Sequence, residues 1–380
     1  MIKKFLIRVS IFSIPVILYF VVGEVLLYKY KEDVPVSTVV KKQLSSKKEI
    51  YFSRSFFNTP DVRLKTEMMK IKKPDIITLG ISVVLQYRDF YFHPYENRFY
   101  NGGFMVKNIY DFNSYINMMQ KKMVHKPKLI IFGFDPSWIK KDYLNDNKNN
   151  VTDPDKDEVL NLNNHVNAIQ EILHQFIDGD LNNKPSCLKQ AYGMAGMNGT
   201  GYRRDGSMHN WNQIENYIKS HHYSDLYNYK EHLKRNTFIY NKPMQVDAKK
   251  VAMLLQNFAL IKKMRINLIV YCPPLANDFY NYAITNKGFQ DIFLPYLSIQ
   301  HMLIQKGYHV IPFCTPKQLG LTDDYMLDGI HAGEVLASKL FYDYMISNNI
   351  KFENLPNLDL SYLKKIRDKK PLCPLAFDTN

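Results

Sequence analysis

Short apolar segments, most of them followed by glycine or proline, recur along this 380-residue chain, and helical patterns separate them. The segments are residues 73–80, 128–132, 267–272 and 308–313, with 98–101 as a further short one; the helical patterns include 108–123, 248–264 and 290–305. Such an apolar segment is typical of a buried parallel strand that meets a tight turn. Strands that alternate with helices predict βαβ units, a parallel sheet and helices on both of its faces.

An apolar stretch near the N-terminus predicts a membrane span. Residues 11–27 are mostly apolar, and with residues 5–9 they approach the roughly 20 residues that a helix needs to cross a bilayer. No small-x-small cleavage site follows, so an uncleaved signal anchor is favoured over a removed signal peptide. Basic residues flank both ends, which gives some support to a cytoplasmic N-terminus. We expect a single-pass protein of the cell membrane with its domain on the extracytoplasmic side.

The rest of the chain is expected to form one domain on a stalk. Residues 1–30 would be the cytoplasmic tip and anchor, 31–72 the stalk, 73–350 the domain and 351–380 a C-terminal extension. Residues 140–247 break the alternation and are rich in Asn, Asp, Lys and Tyr, which predicts an insertion. Insertions at the C-terminal ends of strands are where α/β folds place substrate-binding elements.

The net charge of +14, from 50 basic and 36 acidic residues, has two interpretations. It favours an anionic partner, such as an acidic polysaccharide, or it reflects a basic surface that is simply solvated. No RNP motif, zinc-finger spacing or basic-aromatic array is present, so nucleic acid is not an expected partner. The four cysteines are far apart and form no C-x-x-C, so neither a metal site nor a cofactor is expected; disulfides and buried free thiols both remain open.

Asp328-Gly329-Ile330-His331 precedes a strongly helical stretch, residues 334–350. Imidazole has the unperturbed pKa nearest to neutrality and therefore suits a general base. A carboxylate beside it fixes its tautomer and stabilises the imidazolium that forms during reaction. The pair predicts a hydrolytic site only if a nucleophile lies elsewhere in the chain.

Ser82 is the candidate nucleophile. Gly80-Ile81-Ser82 follows the first predicted strand, and a serine at a strand-to-helix turn is exposed at the carboxyl edge of a sheet. The motif differs from the G-x-S-x-G elbow of α/β-hydrolases because Val84 occupies the final glycine position. Helix capping by Ser82 is the alternative interpretation.

The order of these motifs resembles the SGNH/GDSL hydrolase superfamily. A serine follows the first strand, glycines the second and a G-x-polar turn the third, and D-x-x-H precedes the last helix. The resemblance implies that Ser82 is the nucleophile, with Asp328 and His331 completing the triad. It also implies that the backbone N–H groups of Ser82 and of Gly103 (or Gly102) form the oxyanion hole.

The resemblance covers about residues 73–350. It implies a three-layer α/β/α sandwich around a mostly parallel, flavodoxin-like sheet. The sequence departs from the family at Asp135, in the position of the asparagine that completes the oxyanion hole. An ionised aspartate only accepts hydrogen bonds, so we expect it to oppose the developing negative charge unless it points away or another donor replaces it.

Two further segments resemble exported, membrane-anchored SGNH-like proteins that act on cell-surface glycans: residues 133–138 and the R-x-DGS-like residues 203–207. The resemblance implies substrate contacts for Arg204 and Asp205, and Trp138 is a candidate for stacking on a sugar ring. A structural turn at 203–207 and a core position for Trp138 are the alternatives.

The leading hypothesis is therefore a serine-dependent acyl ester hydrolase or O-acyltransferase that acts on a cell-envelope polysaccharide. Its expected partners are that polysaccharide, the membrane through the N-terminal helix, and a membrane-bound acyltransferase as donor. Two alternatives remain open: a catalytically degenerate SGNH-like protein that binds glycans or assembles a complex, and a protein resembling the D-alanyl transfer protein of teichoic acid modification.

Overall fold

The computed structural model describes residues 2–142, 162–181, 190–210, 214–215, 219, 231, 234–235 and 245–367. Cys187 and Cys373 lie outside these residues, whereas Cys272 and Cys314 are free thiols. Contacts divide the chain into two compact units. The first comprises residues 1–64, 155–204 and 209–211, and the second comprises residues 65–154, 205–208 and 212–380.

The elements are numbered in chain order over the described residues. The strands are β1 Tyr51–Phe52, β2 Ile76–Gly80, β3 Phe99–Gly103, β4 Leu129–Gly133, β5 Ala191–Tyr192, β6 Thr200–Tyr202, β7 Met208–Asn210, β8 Asn267–Tyr271 and β9 His309–Ile311. The α-helices are α1 Ile2–Lys29, α2 Val36–Ser45, α3 Asp61–Lys72, α4 Ile109–Lys122, α5 Leu162–Ile177, α6 Met194–Met197, α7 Ala248–Lys263, α8 Asn277–Thr285, α9 Lys287–Gln305, α10 Glu334–Ser347 and α11 Leu360–Arg367.

The second unit contains a five-stranded sheet in the order β3-β2-β4-β8-β9, and every neighbouring pair is parallel. All five residues are buried in each of β2, β3 and β4, as expected for strands covered on both faces. The predicted α/β class with a mostly parallel sheet is confirmed. The chain order places β3 on one side of β2 and β4 on the other, and ligands of open α/β sheets bind outside the carboxyl ends of strands at such a switch point.

Helices α4, α7 and α9 correspond to the three helical patterns in the sequence. Asn108 caps α4 by accepting hydrogen bonds from the backbone N–H groups of Tyr110 and Asp111, and Asp247 caps α7 in the same way through Lys249. These caps fix where the helices begin, because each satisfies N–H groups that have no acceptor inside the helix.

The first unit contains a four-stranded sheet in the order β5-β1-β6-β7, in which β1 is parallel to β5 and antiparallel to β6. The sequence predicted a stalk at 31–72 and a separate insertion at 140–247. In the structure the two segments share a sheet, because β1 of the predicted stalk pairs with β5 and β6 of the predicted insertion. Strands of two or three residues are too short to show an alternating pattern, so the sequence carried no signal for this sheet.

Helix α1 is long and apolar enough to cross a membrane, and it is the one helix of that kind among the described residues. Its apolar side chains are exposed from Ile2 to Val22, whereas Gly23, Leu26 and Leu27 are buried. A Cβ at Gly23 would lie 2.5 Å from Ile169 Cγ2 on α5, so glycine permits the close approach of these two helices. The exposed stretch is roughly 30 Å long at 1.5 Å per residue, which equals the thickness of a bilayer's hydrocarbon core.

Candidate active site

Ser82 lies immediately beyond the carboxyl end of β2. It is the first residue of a 3₁₀ turn, Ser82–Val84, whose closing hydrogen bond runs from the Leu85 N–H to the Ser82 carbonyl. The Ser82 N–H therefore has no acceptor inside the turn. Gly80 has φ +151°, a conformation in which an L side chain is strained. Strand β2 thus ends at a glycine whose conformation disfavours a side chain, two residues before Ser82, where the turn begins.

Gly133 allows this turn to pack against the end of β4. A Cβ at Gly133 would lie 2.5 Å from Val84 Cγ1 and 2.9 Å from Val83 Cγ2. Both distances are shorter than ordinary van der Waals contacts. The glycine of the G-x-polar motif thus has a steric role: it leaves room for the turn that carries Ser82.

The Asp328–His331 loop closes on itself. Asp328 Oδ1 accepts hydrogen bonds from the backbone N–H groups of Ile330 and His331, each at 2.9 Å. Met326 and Ala332 form an antiparallel bridge across the base of the loop, and the Leu327 N–H donates to the His331 carbonyl. The carboxylate therefore fixes both the loop and the side chain that it faces.

The structure brings Ser82, His331 and Asp328 into one hydrogen-bonded chain. His331 Nε2 lies 2.6 Å from Ser82 Oγ, and His331 Nδ1 lies 2.7 Å from Asp328 Oδ2. A carboxylate beside Nδ1 favours the tautomer that carries its proton there, which leaves Nε2 free to accept the proton of the serine hydroxyl. This is the geometry of a nucleophile, a general base and its orienting acid.

The electrostatic surroundings make His331 a stronger base. Burial lowers the pKa of the imidazole, but the charge of Asp328, its hydrogen bond and the charge of Asp135 together raise it above its ordinary value of 6.5. Asp328 is 2% exposed, so its charge is only weakly screened by water.

The two predicted oxyanion donors, the N–H groups of Ser82 and Gly103, differ in their hydrogen bonding. Ser82 N–H lies at the start of its turn, whereas Gly103 N–H donates to Asn101 Oδ1 at 2.9 Å. The amide nitrogen of Asn101 donates in turn to the carbonyls of Val84 and Tyr87. Gly103 is thus engaged within the scaffold, and Asn101, which the sequence did not single out, fastens β3 to the segment that follows Ser82.

Asp135 is buried close enough to His331 for their charges to interact. Its Oδ1 accepts hydrogen bonds from the backbone N–H and the hydroxyl of Ser137, while Oδ2 has no hydrogen-bond partner among the described residues. Burial raises the pKa of this carboxyl from 3.8 to about 6, against opposing contributions from Ser137 and His331. A neutral Asp135 carries one O–H donor, whereas the ionised form carries none.

Three residues predicted to contact substrate have other surroundings. Trp138 is 2% exposed and packs against Phe132 with ring centroids 4.8 Å apart, so no sugar ring can stack on it. Asp205 is buried, and its carboxylate accepts from Arg88 and from Ser207. Arg204 belongs to the other unit, where its guanidinium donates to the Ser46 carbonyl at 3.0 Å.

A buried ionic network connects the segments that carry Ser82 and His331. Arg88 Nε lies 3.2 Å from Asp205 Oδ2, and Arg88 Nη1 lies 3.1 Å from Glu334 Oε1. The Tyr91 hydroxyl also donates to the Glu334 carbonyl at 2.6 Å. Arg88 follows the serine turn and Glu334 begins α10 just after His331, so the network holds the two halves of the site together. The partners are far apart in sequence, and no local pattern indicated them.

A cavity of about 70 Å³ adjoins the hydrogen-bonded chain. Its wall includes Ile81 and Val83, the two neighbours of Ser82, and Ile330, which precedes His331. Among the described residues there is no cluster of three or more His, Cys, Asp or Glu side chains that would hold a metal ion.

The fold and this geometry define an α/β protein with a Ser–His–Asp arrangement at the carboxyl edge of a parallel sheet. No known family model matches this chain, and no curated protein sequence is significantly similar to it.

Proposed function

We propose that this chain is an SGNH-type serine acyl ester hydrolase or O-acyltransferase that acts on a cell-envelope polysaccharide. The observation that carries the proposal is the continuous hydrogen-bonded chain from Ser82 Oγ through His331 to Asp328, with heavy-atom distances of 2.6 and 2.7 Å. These distances lie within the reach that proton transfer between nucleophile and base requires.

In the proposed reaction Ser82 Oγ attacks the acyl carbonyl carbon while its proton passes to His331 Nε2. The resulting oxyanion is held by the Ser82 N–H, and Asp328 stabilises the imidazolium. His331 then returns the proton to the departing alcohol oxygen, which leaves the acyl group on Ser82. Water or a sugar hydroxyl attacks this ester next and gives its proton to His331. The bond between Ser82 Oγ and the acyl carbon breaks, His331 returns the proton to Ser82 Oγ, and the product is a free acid or a newly acylated sugar.

The proposal includes a three-layer α/β/α arrangement and a location on the outer side of the cell membrane. Its support is the doubly wound strand order, the exposed apolar surface of α1 and the resemblance of residues 133–138 to exported glycan-modifying proteins. An enzyme anchored in this way would lie beside a membrane-bound acyl donor, which favours transfer over hydrolysis.

The competing proposal is a degenerate SGNH-like protein that binds a glycan or a partner without catalysis. Two observations favour it: a carboxyl group, Asp135, stands where the resemblance requires an amide donor, and the Gly103 N–H is engaged by Asn101. An ionised Asp135 beside an oxyanion would raise the barrier to acyl transfer.

A fluorophosphonate probe on the detergent-solubilised full-length chain distinguishes the two, because only an activated serine reacts with it. We expect the wild-type chain to be labelled and Ser82→Ala to lose labelling. Ser298→Ala, which removes an exposed serine on α9, should be labelled like the wild type. A folded wild-type chain that resists labelling would contradict the serine mechanism and favour the binding protein instead.

A further inference from the structure

The walls of the cavity beside Ser82 are mostly apolar. Helix α9 contributes Phe289, Ile292 and Phe293, and further apolar side chains come from residues 273–279 and from Phe313. Tyr296 also lines the cavity, but its hydroxyl donates to the Phe134 carbonyl at 2.8 Å. A space lined in this way favours an apolar guest, because burying an unpaired polar group there is unfavourable.

The aromatic walls are packed against one another. Phe293 stacks on Phe289 with ring centroids 5.4 Å apart and meets Phe313 edge to face at 5.3 Å. Phe289 in turn meets Phe279 edge to face, with ring centroids 5.8 Å apart. Interlocked rings of this kind resist displacement, so they set a limit on the size of the guest.

The wall of the cavity includes residues next to Ser82 and His331 in the sequence. Ile81 and Val83, the residues before and after Ser82, line the cavity, and so does Ile330, the residue before His331. When the carbonyl carbon is within reach of Ser82 Oγ, one substituent is the leaving alcohol and the other is the acyl chain. The polysaccharide alcohol is large and polar, so the small apolar cavity fits only the acyl chain.

The size and the lining of the cavity limit which acyl groups it can hold. A dry apolar cavity of about 150 Å³ binds benzene, so about 70 Å³ takes a chain of roughly three or four carbons. The charged side chains on the wall are Asp135 and Lys140. Lys140 would repel an ammonium group and Asp135 would attract one, so these two charges oppose each other, whereas the apolar remainder of the wall disfavours any charged guest.

We propose that this cavity is the acyl pocket of the site and that the acyl group is a short, uncharged chain such as butyryl, rather than an amino-acyl group. This inference rests on the proposed function, because it assigns the pocket to an ester whose carbonyl is attacked by Ser82.

The test uses p-nitrophenyl esters with the full-length chain in detergent, since nitrophenol release reports acylation for a hydrolase and a transferase alike. We expect kcat/KM for butyrate to exceed that for acetate roughly tenfold, because two more methylene groups are buried. Octanoate, which exceeds the cavity, should be poorer than butyrate. The alanine ester, which carries an ammonium group, should be poorer than acetate.

Matched variants on α9 locate the effect. Phe289→Ala enlarges the cavity and should raise the octanoate-to-acetate ratio of kcat/KM about tenfold or more. Phe289→Leu should raise the octanoate-to-acetate ratio less, and this smaller change is the control for a folding defect in Phe289→Ala. The ratio of the two kcat/KM values does not depend on how much of the enzyme is folded. Leu294→Ala changes an exposed side chain on the same helix that does not line the cavity, so its ratio should equal that of the wild type.

The outcomes separate the two proposals. If Ser82 reacts with the fluorophosphonate but acetate or the alanine ester is the best substrate, or the Phe289 variants leave the ratio unchanged, the pocket assignment is wrong and the serine mechanism stands. If neither probe nor ester reacts at Ser82, the proposed function fails and the pocket assignment falls with it.

Discussion

His331 Nε2 lies 2.6 Å from Ser82 Oγ, although 249 residues separate the two in the chain. The proximity follows from the parallel sheet, whose strands all deliver their carboxyl ends to one edge. Ser82 follows the second strand of the chain directly, and the His331 loop follows the last, so both reach the same edge. The charge of Asp135 acts on His331, and under the proposed function it would also oppose the oxyanion.

Replacing Asp135 with asparagine is expected to increase activity. The amide would keep an oxygen that accepts from Ser137, remove a negative charge and offer an N–H donor from the position of Oδ2, which has no partner within the described part of the chain. A single oxyanion donor contributes about 100-fold to kcat, so we expect Asp135→Asn to raise kcat/KM for p-nitrophenyl butyrate by at least about tenfold at about pH 8. Asp343→Asn, a partly exposed control on α10, should leave kcat/KM unchanged. A loss of activity in Asp135→Asn would show that the carboxyl group itself is required.

The pH dependence of acylation should follow His331. The imidazole accepts the serine proton only when neutral, and its pKa lies above 6.5 because the charges of Asp328 and Asp135 outweigh the effect of burial. We therefore expect kcat/KM to rise with pH around a midpoint above 6.5. Asp135→Asn removes one of the charges that raise this pKa, so its midpoint should shift to lower pH. Identical midpoints in pH–rate profiles of the two proteins would contradict the coupling.

Asp135 should also make stability depend on pH. Burial raises its pKa in the folded chain from 3.8 to about 6. Between these two pH values the carboxyl group is protonated in the folded state and ionised in the unfolded state. The favourable contribution is complete below the ordinary pKa of 3.8 and is lost as pH rises through about 6. Asp135→Asn should therefore raise the free energy of unfolding by roughly 2–3 kcal/mol at about pH 8 and by little near about pH 3. Urea titration of the solubilised chain at both pH values measures this, and an equal change at both would exclude the ionisation of Asp135 as the cause.

The sequence predicted the parts of the fold that rest on local pattern. Strands β2, β4, β8 and β9 were predicted because a strand covered on both faces is a continuous apolar run, and such runs are visible without knowing their partners. Strands β1, β5 and β6 have two or three residues each, too few for any periodicity, so the sheet that they form was missed.

The same distinction applies to the site. The convergence of Ser82 with the Asp328–His331 loop was expected from the order of the motifs and their resemblance to the SGNH/GDSL superfamily, and the structure brings these residues together. For Trp138 and Asp205 the sequence left a substrate contact and a structural position open, and the structure shows both residues buried, because exposure depends on tertiary packing. A tryptophan in a core and one on a surface look alike in sequence, and the partner of Asp205, Arg88, lies 117 residues away.

The Arg88 network should be one of the more sensitive points of the fold. Arg88→Met would leave the carboxylates of Asp205 and Glu334 buried without the guanidinium that pairs with both. Removing one partner from a buried ionic group typically destabilises a protein by about 3–5 kcal/mol, and we expect the free energy of unfolding to fall by that amount. Lys339→Met removes one member of a partly exposed pair with Asp343 and should change the free energy of unfolding by less than about 1 kcal/mol.

Because Arg88 follows Ser82 and Glu334 follows His331, fluorophosphonate labelling of the folded Arg88→Met chain should also slow. Unchanged labelling in a destabilised but folded variant would show that Arg88 supports the fold without positioning the site.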